Sequence, residues 1–150
     1  MTVSRAAWSE LDPGTAYAIA RLRVDVFVVE QACAYPELDG RDLEPSTEHL
    51  WVAGPGGEAV GAYLRVLAGP READAGVRRV GRVVTAASAR GHGLAGLLLD
   101  DVLERHGGVP LVLDAQAHLE HWYARWGFEV SGAPFQEDGI PHVPMRRSPA

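Results

Sequence analysis

The sequence contains no lysine, a single cysteine and no long uninterrupted apolar run. Without lysine, the chain cannot form the phosphate loop of P-loop nucleotidases, whose signature ends in Gly-Lys-Ser/Thr. A single thiol, Cys33, excludes an internal disulfide and a cysteine-based zinc site. A membrane-spanning helix needs about 18 or more apolar residues, and the first residues lack the apolar core of a signal peptide. These absences predict a cytoplasmic protein without a membrane partner.

Composition, charge and missing signatures exclude further classes of protein. All 14 basic residues are arginines, the formal net charge is −6, and apolar residues make up 47% of the chain. Because no basic stretch is interleaved with aromatic residues, we predict no nucleic-acid partner. The signatures HExxH and GxSxG are also absent, so neither a zinc site nor a nucleophile elbow is predicted. A length of 150 residues suits one core, and we predict a single domain over residues 1–150.

Hydrophobic periodicity predicts a mixed α/β fold. Asp12-Pro13 is typical of a helix start, and apolar residues at helical spacing continue to about Val28. Two strand patterns separated by PGGE then indicate a hairpin. Further strands and helices alternate after it, which favours a central sheet flanked by helices. The predicted strands cover residues 6–10, 49–54, 59–67, 77–85, 111–115, 128–132 and 141–146, and the later helices cover residues 94–105 and 119–126.

The stretch VTAASARGHGLAGLLLDD, residues 84–101, places flexible residues directly ahead of a predicted helix. The first amides of a helix have no internal partner, and the helix dipole adds partial positive charge there. Gly91 and Gly93 allow the backbone to approach a ligand closely, and Arg90 can add a charge-assisted contact. The pattern therefore predicts an anion site suited to phosphate. A tight turn of small residues ahead of a core helix fits the same pattern.

Two short motifs and three longer segments carry a resemblance to a known family. Residues 90–95, RGHGLA, match the signature R/Q-x-x-G-x-G/A of the GCN5-related N-acetyltransferase (GNAT) superfamily, and HWYARWGFEV resembles its Y-x-x-x-G-F element. Longer similarities resemble the ElaA-like branch of that superfamily. They lie in RVDVFVVEQACAYPELDGRD, AQAHLEHWY and EDGIPHVPM, and the resemblance spans residues 22–145.

The resemblance implies a GNAT fold: a mixed, mostly antiparallel twisted sheet of six to seven strands with about four helices. It also implies acetyl-CoA as the acetyl donor and no metal. The strand before the signature would present its backbone to the pantetheine arm, and Tyr123 would be the general acid for the departing thiolate. From spacing alone, Tyr123 fits an aromatic packing residue as well. The implied donor-binding positions are Val83, Val84, Thr85, Arg90, Gly91, His92, Gly93, Leu94 and Ala95. Gln116 stands near the place where many members carry a coenzyme-contacting asparagine.

The acceptor side is predicted from charge. Acidic residues crowd the segment from Glu30 to His49, and an acidic mouth would attract a cationic amine; a solvated acidic surface fits the same pattern. We take Glu30 or His49 as the candidate base. The acidic residues of this segment are Glu30, Glu37, Asp39, Asp42, Glu44 and Glu48.

Together these observations predict an N-acetyltransferase that moves an acetyl group directly to a primary amine of a small molecule or peptide. The alternatives are a non-catalytic acyl-CoA-binding or sensing domain on the same fold and a purely structural partner-binding protein. A homodimer is a further expectation, with the strand around Val143 as its candidate interface.

Overall fold

An eight-stranded sheet organises the chain, with strand order β1-β2-β3-β4-β5-β8-β6 and with β7 paired to β8. The computed structural model describes residues 1–150. All strand pairs are antiparallel except β4 with β5. The strands are β1 Ser4–Ala6, β2 Glu48–Val52, β3 Ala62–Leu67, β4 Arg78–Thr85, β5 Leu111–Gln116, β6 Glu129–Val130, β7 Phe135–Glu137 and β8 Ile140–Arg147, and the helices are α1 Pro13–Arg23, α2 Pro70–Ala75, α3 Leu94–His106 and α4 Glu120–Ala124.

The first helix begins where its sequence predicts. The Asp12 carboxylate accepts a hydrogen bond of 2.8 Å from the Thr15 amide, and Pro13 occupies the first turn. The helix does not continue as a regular α-helix to Val28. It changes at Val24 into a π-helical segment, Val24–Glu30, which carries Phe27 and Glu30 into the cavity described below.

The two faces of the sheet are covered differently. On one face α3 packs with Leu98, Leu99 and Val102 fully buried, within a continuous core of 18 buried residues. On the other face α1 covers a smaller apolar cluster that includes Ile19 and Leu22. The rest of that second face lies under residues 31–47, where buried charged groups replace apolar ones.

A fork in the sheet positions the candidate site. The parallel strands β4 and β5 pair only at Arg78 with Leu111 and at Arg79 with Val112. Beyond Arg79 the two strands separate, so the rest of this β4 edge has no strand partner. Inside the fork β4 carries a bulge, and Arg82 adopts a φ of +53°. Bulges of this kind commonly redirect side chains beside functional sites.

The structure corrects several expectations. The sheet has eight strands instead of six to seven, because the short strand β7 was not predicted. The first strand is Ser4–Ala6, and a 3₁₀ turn, Trp8–Glu10, occupies most of the predicted one. Strand β8 has partners on both edges and Val143 is buried, so this strand offers no free edge to a second copy of the chain, and a homodimer stays a prediction. None of the helices has the length and apolar character required to cross a bilayer.

Candidate functional site

A cavity of about 750 Å³ opens at the fork and receives residues from both faces of the sheet. Residues from the start of α3 and from Tyr123 line one part of it. Residues from the π-helical segment, the 31–47 segment and the β7–β8 hairpin line another. Among the predicted site residues, His92 and His49 do not line the cavity; His92 is exposed and His49 is buried. Those that do are Glu30, Val83, Val84, Thr85, Arg90, Gly91, Gly93, Leu94, Ala95 and Tyr123.

The residues from Gly91 to Gly96, here named the amide loop, present unpaired backbone donors. None of their six amides donates to a backbone acceptor, and the first bond of α3 is made by the Leu97 amide. Gly91 and Gly93 have φ values of +86° and +70°, and a side chain built on either glycine would meet no atom within 4 Å. A set of unpaired amides at a helix N-terminus, open to a cavity, suits a phosphate group.

Arg90 stands next to the amide loop and is held by Glu30. An Arg90 guanidinium nitrogen lies 2.9 Å from a Glu30 carboxylate oxygen, and both side chains are nearly half exposed. The ion pair joins the π-helical segment to the loop across the cavity mouth. An incoming anion therefore meets an arginine that already has a carboxylate partner.

Tyr123 reaches the cavity from α4 within an aromatic cluster. Its ring is 6% exposed and packs edge-on against Trp122 and Phe128. Tyr123 lines the cavity, and its hydroxyl makes no hydrogen bond to another protein group. Burial raises the pKa of Tyr123 above its ordinary value, so the phenol keeps its proton at neutral pH. The group is an uncommitted proton donor.

Six charged side chains, here named the ion cluster, join residues 31–47 to the rest of the fold. They are Arg23, Glu37, Asp39, Asp42, Arg65 and Arg82. Arg23 donates to Glu37 at 2.6 Å and to Asp42 at 2.7 Å. Arg65 donates to the same Asp42 oxygen at 3.0 Å. The remaining contacts join Arg65 to Asp39 at 2.7 Å and Arg82 to Glu37 at 3.0 Å, and Tyr35 also donates to Glu37.

The ion cluster neutralises half of the carboxylates of the predicted acidic mouth. Burial alone would raise the pKa of Asp42, but the hydrogen bonds and charges of Arg23 and Arg65 outweigh it and hold that pKa below its usual value. Outside the cluster, Glu44 pairs with Arg41 and Glu48 with His106. Most of these carboxylates are therefore internally paired and do not form an acidic entrance.

His49 lies outside the cavity, and the prediction that it is a base is wrong. The ring is fully buried. Its Nδ1 accepts a 2.7 Å hydrogen bond from the Tyr63 hydroxyl, and its Nε2 donates 3.0 Å to the carbonyl of Asp42. Burial lowers the pKa of His49, which keeps the ring neutral. Both nitrogens are committed, so the ring supports the second face of the sheet.

Sequence reasoning missed the wall of the cavity that the C-terminal hairpin supplies. Glu137, Asp138, Ile140 and His142 all line it. His142 belongs to the alternating stretch PHVPM, in which Val143 and Met145 point into the α3 core. That alternation was a usable signal, because His142 must then face the other side of the sheet.

Gln116 borders the site beside His142. Gln116 lies opposite His142 across the β5–β8 pair and donates to the Gln31 side chain at 3.3 Å. No cluster of three or more histidine, cysteine, aspartate or glutamate side chains is arranged to hold a metal ion.

Comparison with known proteins places this geometry in a family context. The family described as Acetyltransferase (GNAT) domain matches residues 18–149. The UPF0039 protein of Mycobacterium tuberculosis is 48% identical over 147 residues, covering 95% of this chain and 91% of the relative. A crystal structure of an acyl-CoA N-acyltransferase from Pseudomonas aeruginosa aligns with a TM-score of 0.86 and 37% identity, covering 99% of this chain and 100% of that one. Escherichia coli ElaA aligns with a TM-score of 0.87 and 33% identity, covering 98% and 99%.

Proposed function

The chain belongs to the GNAT acetyltransferase family, whose activity is acyl transfer from an acyl-CoA, and from this premise we propose that it is an N-acetyltransferase. The donor in this proposal is acetyl-CoA, and the acceptor is a primary amine. Transfer is direct, with donor and acceptor bound together in one complex. No covalent acyl-enzyme forms in this proposal.

The observation that carries the proposal is the amide loop beside the fork. Its six unpaired amides and the open space over Gly91 and Gly93 fit the diphosphate of a coenzyme A ester. Arg90 adds a positive charge at the same place. The unpaired edge of β4 gives the rest of the coenzyme a backbone surface along Val83, Val84 and Thr85.

The chain's own residues supply what acetyl transfer needs near the thioester. A backbone amide of the β4 bulge is suited to polarise the carbonyl as negative charge develops on its oxygen. The Tyr123 hydroxyl, protonated and without a protein partner, is the donor for the departing sulfur. The choice of a cationic amine as acceptor rests on three carboxylates that line the cavity, those of Asp114, Glu137 and Asp138.

Calorimetric titration with acetyl-CoA, coenzyme A and ATP tests the donor half. We expect binding of both coenzyme forms and none of ATP. A thiol-release assay over a panel of primary amines then tests transfer. Coenzyme binding without turnover on any amine would favour the acyl-CoA-binding or sensing domain, and no binding at all would contradict both.

A further inference from the structure

The cavity wall supplied by the β7–β8 hairpin contains the imidazole of His142, and only one of its two ring nitrogens is hydrogen-bonded. Nδ1 of His142 lies 2.7 Å from the carbonyl oxygen of Ile140. Because a carbonyl only accepts, Nδ1 carries the proton and Nε2 holds the free lone pair of the neutral ring. A Glu137 carboxylate oxygen lies 3.9 Å from Nε2, beyond hydrogen-bond distance.

The surroundings of His142 fix the ring without consuming that lone pair. The side chain is 12% exposed and stacks on Phe135 with a centroid separation of 5.7 Å. Strand β8 is paired on both edges, so the backbone beneath the ring is held by the sheet. Glu137 is close enough to stabilise a positive charge on the ring once Nε2 accepts a proton.

Several other titratable groups on this cavity are already engaged. Glu30 is ion-paired with Arg90, and Asp114 lies 3.3 Å from Arg79. The Tyr35 hydroxyl donates to Glu37, and burial raises its pKa. Burial and the neighbouring charge of Asp138 raise the pKa of Cys33, whose thiol donates to the Asp138 carbonyl at 3.4 Å. The side chains of His118, Glu137 and Asp138, which also line the cavity, make no hydrogen bond.

We propose that His142 is the general base that removes a proton from the acceptor ammonium, with Ile140 fixing its tautomer and Glu137 stabilising the imidazolium. The assignment rests on the proposed acetyl transfer and deepens it. It replaces Glu30 as the candidate base.

Protons and bonds balance in the proposed reaction. The bound ammonium gives one proton to Nε2 and becomes a neutral amine. The nitrogen lone pair forms the amide N–C bond, the thioester C–S bond breaks, and its electron pair leaves on sulfur. Sulfur takes a proton from Tyr123, and the second proton lost by the nitrogen restores the phenol. One proton remains on His142 and passes to solvent.

The test compares two amines that differ in their need for a base. Benzylamine is an alkylammonium ion at neutral pH, since such amines titrate near pH ~10, whereas 2,2,2-trifluoroethylamine is already neutral. In His142→Asn, the side-chain amide can still donate to the Ile140 carbonyl, but the basic nitrogen is lost. We expect kcat/KM for benzylamine to fall about 100-fold, a much smaller loss for trifluoroethylamine, and an unchanged Kd for acetyl-CoA. Added imidazole is expected to restore part of the benzylamine activity of His142→Ala.

Equal losses for both amines would assign His142 a structural role and overturn the proposal. A benzylamine-selective loss in Glu30→Gln, with His142→Asn unaffected, would return the role to Glu30. A wild-type protein that binds acetyl-CoA but acetylates neither of these amines nor any other of the panel would contradict the proposed function itself, and this inference with it.

Discussion

The ion cluster and the amide loop are both dense in polar groups, and they lie on opposite sides of the fork. In the ion cluster three arginines meet three carboxylates, and Arg65 Nε is the only cluster atom buried without a partner. In the amide loop six consecutive backbone donors have no partner in the protein. Polar groups that satisfy one another hold the fold together. Polar groups left unsatisfied and facing open space are available to a ligand.

The comparison predicts which perturbations change stability and which change binding. The strongest effect is expected from Arg23→Met in the ion cluster. Removing this fully buried guanidinium leaves Glu37 and Asp42 without it, and breaking a buried pair in this way typically costs about 3–5 kcal/mol. Urea unfolding measures the free energy of unfolding. Arg21→Met is the control, because the Arg21–Asp25 pair is largely exposed and is expected to contribute at most about 0.5 kcal/mol.

A similar destabilisation by the two variants would show that burial of the cluster does not determine its contribution. It would remove the distinction between the cluster and an ordinary surface ion pair.

The hydroxyls of Tyr123 and Tyr63 differ in the same way, since one has no protein partner and the other is hydrogen-bonded inside the fold. Tyr123→Phe removes a hydroxyl that no protein group uses, and we expect turnover to fall about 100-fold with stability unchanged. Tyr63→Phe removes the hydrogen bond to His49, and we expect a loss of about 1 kcal/mol of stability with turnover unchanged. Steady-state kinetics and thermal unfolding separate the two outcomes. Wild-type turnover in Tyr123→Phe would contradict the role of the hydroxyl as proton donor and leave Tyr123 only a packing role.

Two glycines with the same backbone conformation test the amide loop. Gly93 and Gly76 both have a φ of +70° and no atom within 4 Å of a built side chain. Replacing either by valine imposes a similar left-handed strain of about 1–2 kcal/mol. Only Gly93→Val also fills the space in front of the unpaired amides, so we expect acetyl-CoA affinity to fall at least about tenfold in that variant alone.

Calorimetry on both glycine variants provides the measurement. Equal affinities of the two variants for acetyl-CoA would contradict the proposal that the amide loop binds the diphosphate.

The smallest effect is expected at the mouth of the cavity. Glu30→Gln frees Arg90 from an ion pair that is nearly half exposed, so we expect coenzyme A to bind about threefold more tightly, within the range of a surface pair. The gain is expected to shrink as salt is added, since exposed charges are screened. Weaker binding in this variant would instead mean that Glu30 holds Arg90 in place for the ligand.

How much of the site the sequence reveals depends on how locally it is encoded. The amide loop is one contiguous stretch, and its glycines, arginine and following helix are readable together, so most of its residues were found. The ion cluster joins Arg23 to residues 37–42, Arg65 and Arg82, which only the folded sheet brings together. The sequence of the acidic segment therefore suggests either an open acidic mouth or a solvated acidic surface, because its arginine partners are distant in sequence.

The cavity wall formed by the β7–β8 hairpin shows the same difficulty on a smaller scale. His142 faces the cavity because β8 lies between β5 and β7 and its alternate residues enter the core. Alternation assigns a face, but only the order of strands says what that face meets. The short strand β7 had no pattern long enough to be recognised, so the hairpin that lines the cavity was not predicted.

The bulge at Arg82 has a consequence for protein engineering. Its positive φ accompanies a side chain that leaves β4 and bonds both the carboxylate and the carbonyl of Glu37. The strand that would position the thioester is thus linked directly to residues 31–47, some of which also line the cavity. A chimera that exchanges residues 31–47 with those of a relative, to borrow its acceptor preference, must exchange Arg23, Arg65 and Arg82 with their matching partners as a set. Donor geometry and acceptor choice are inherited together in such a graft.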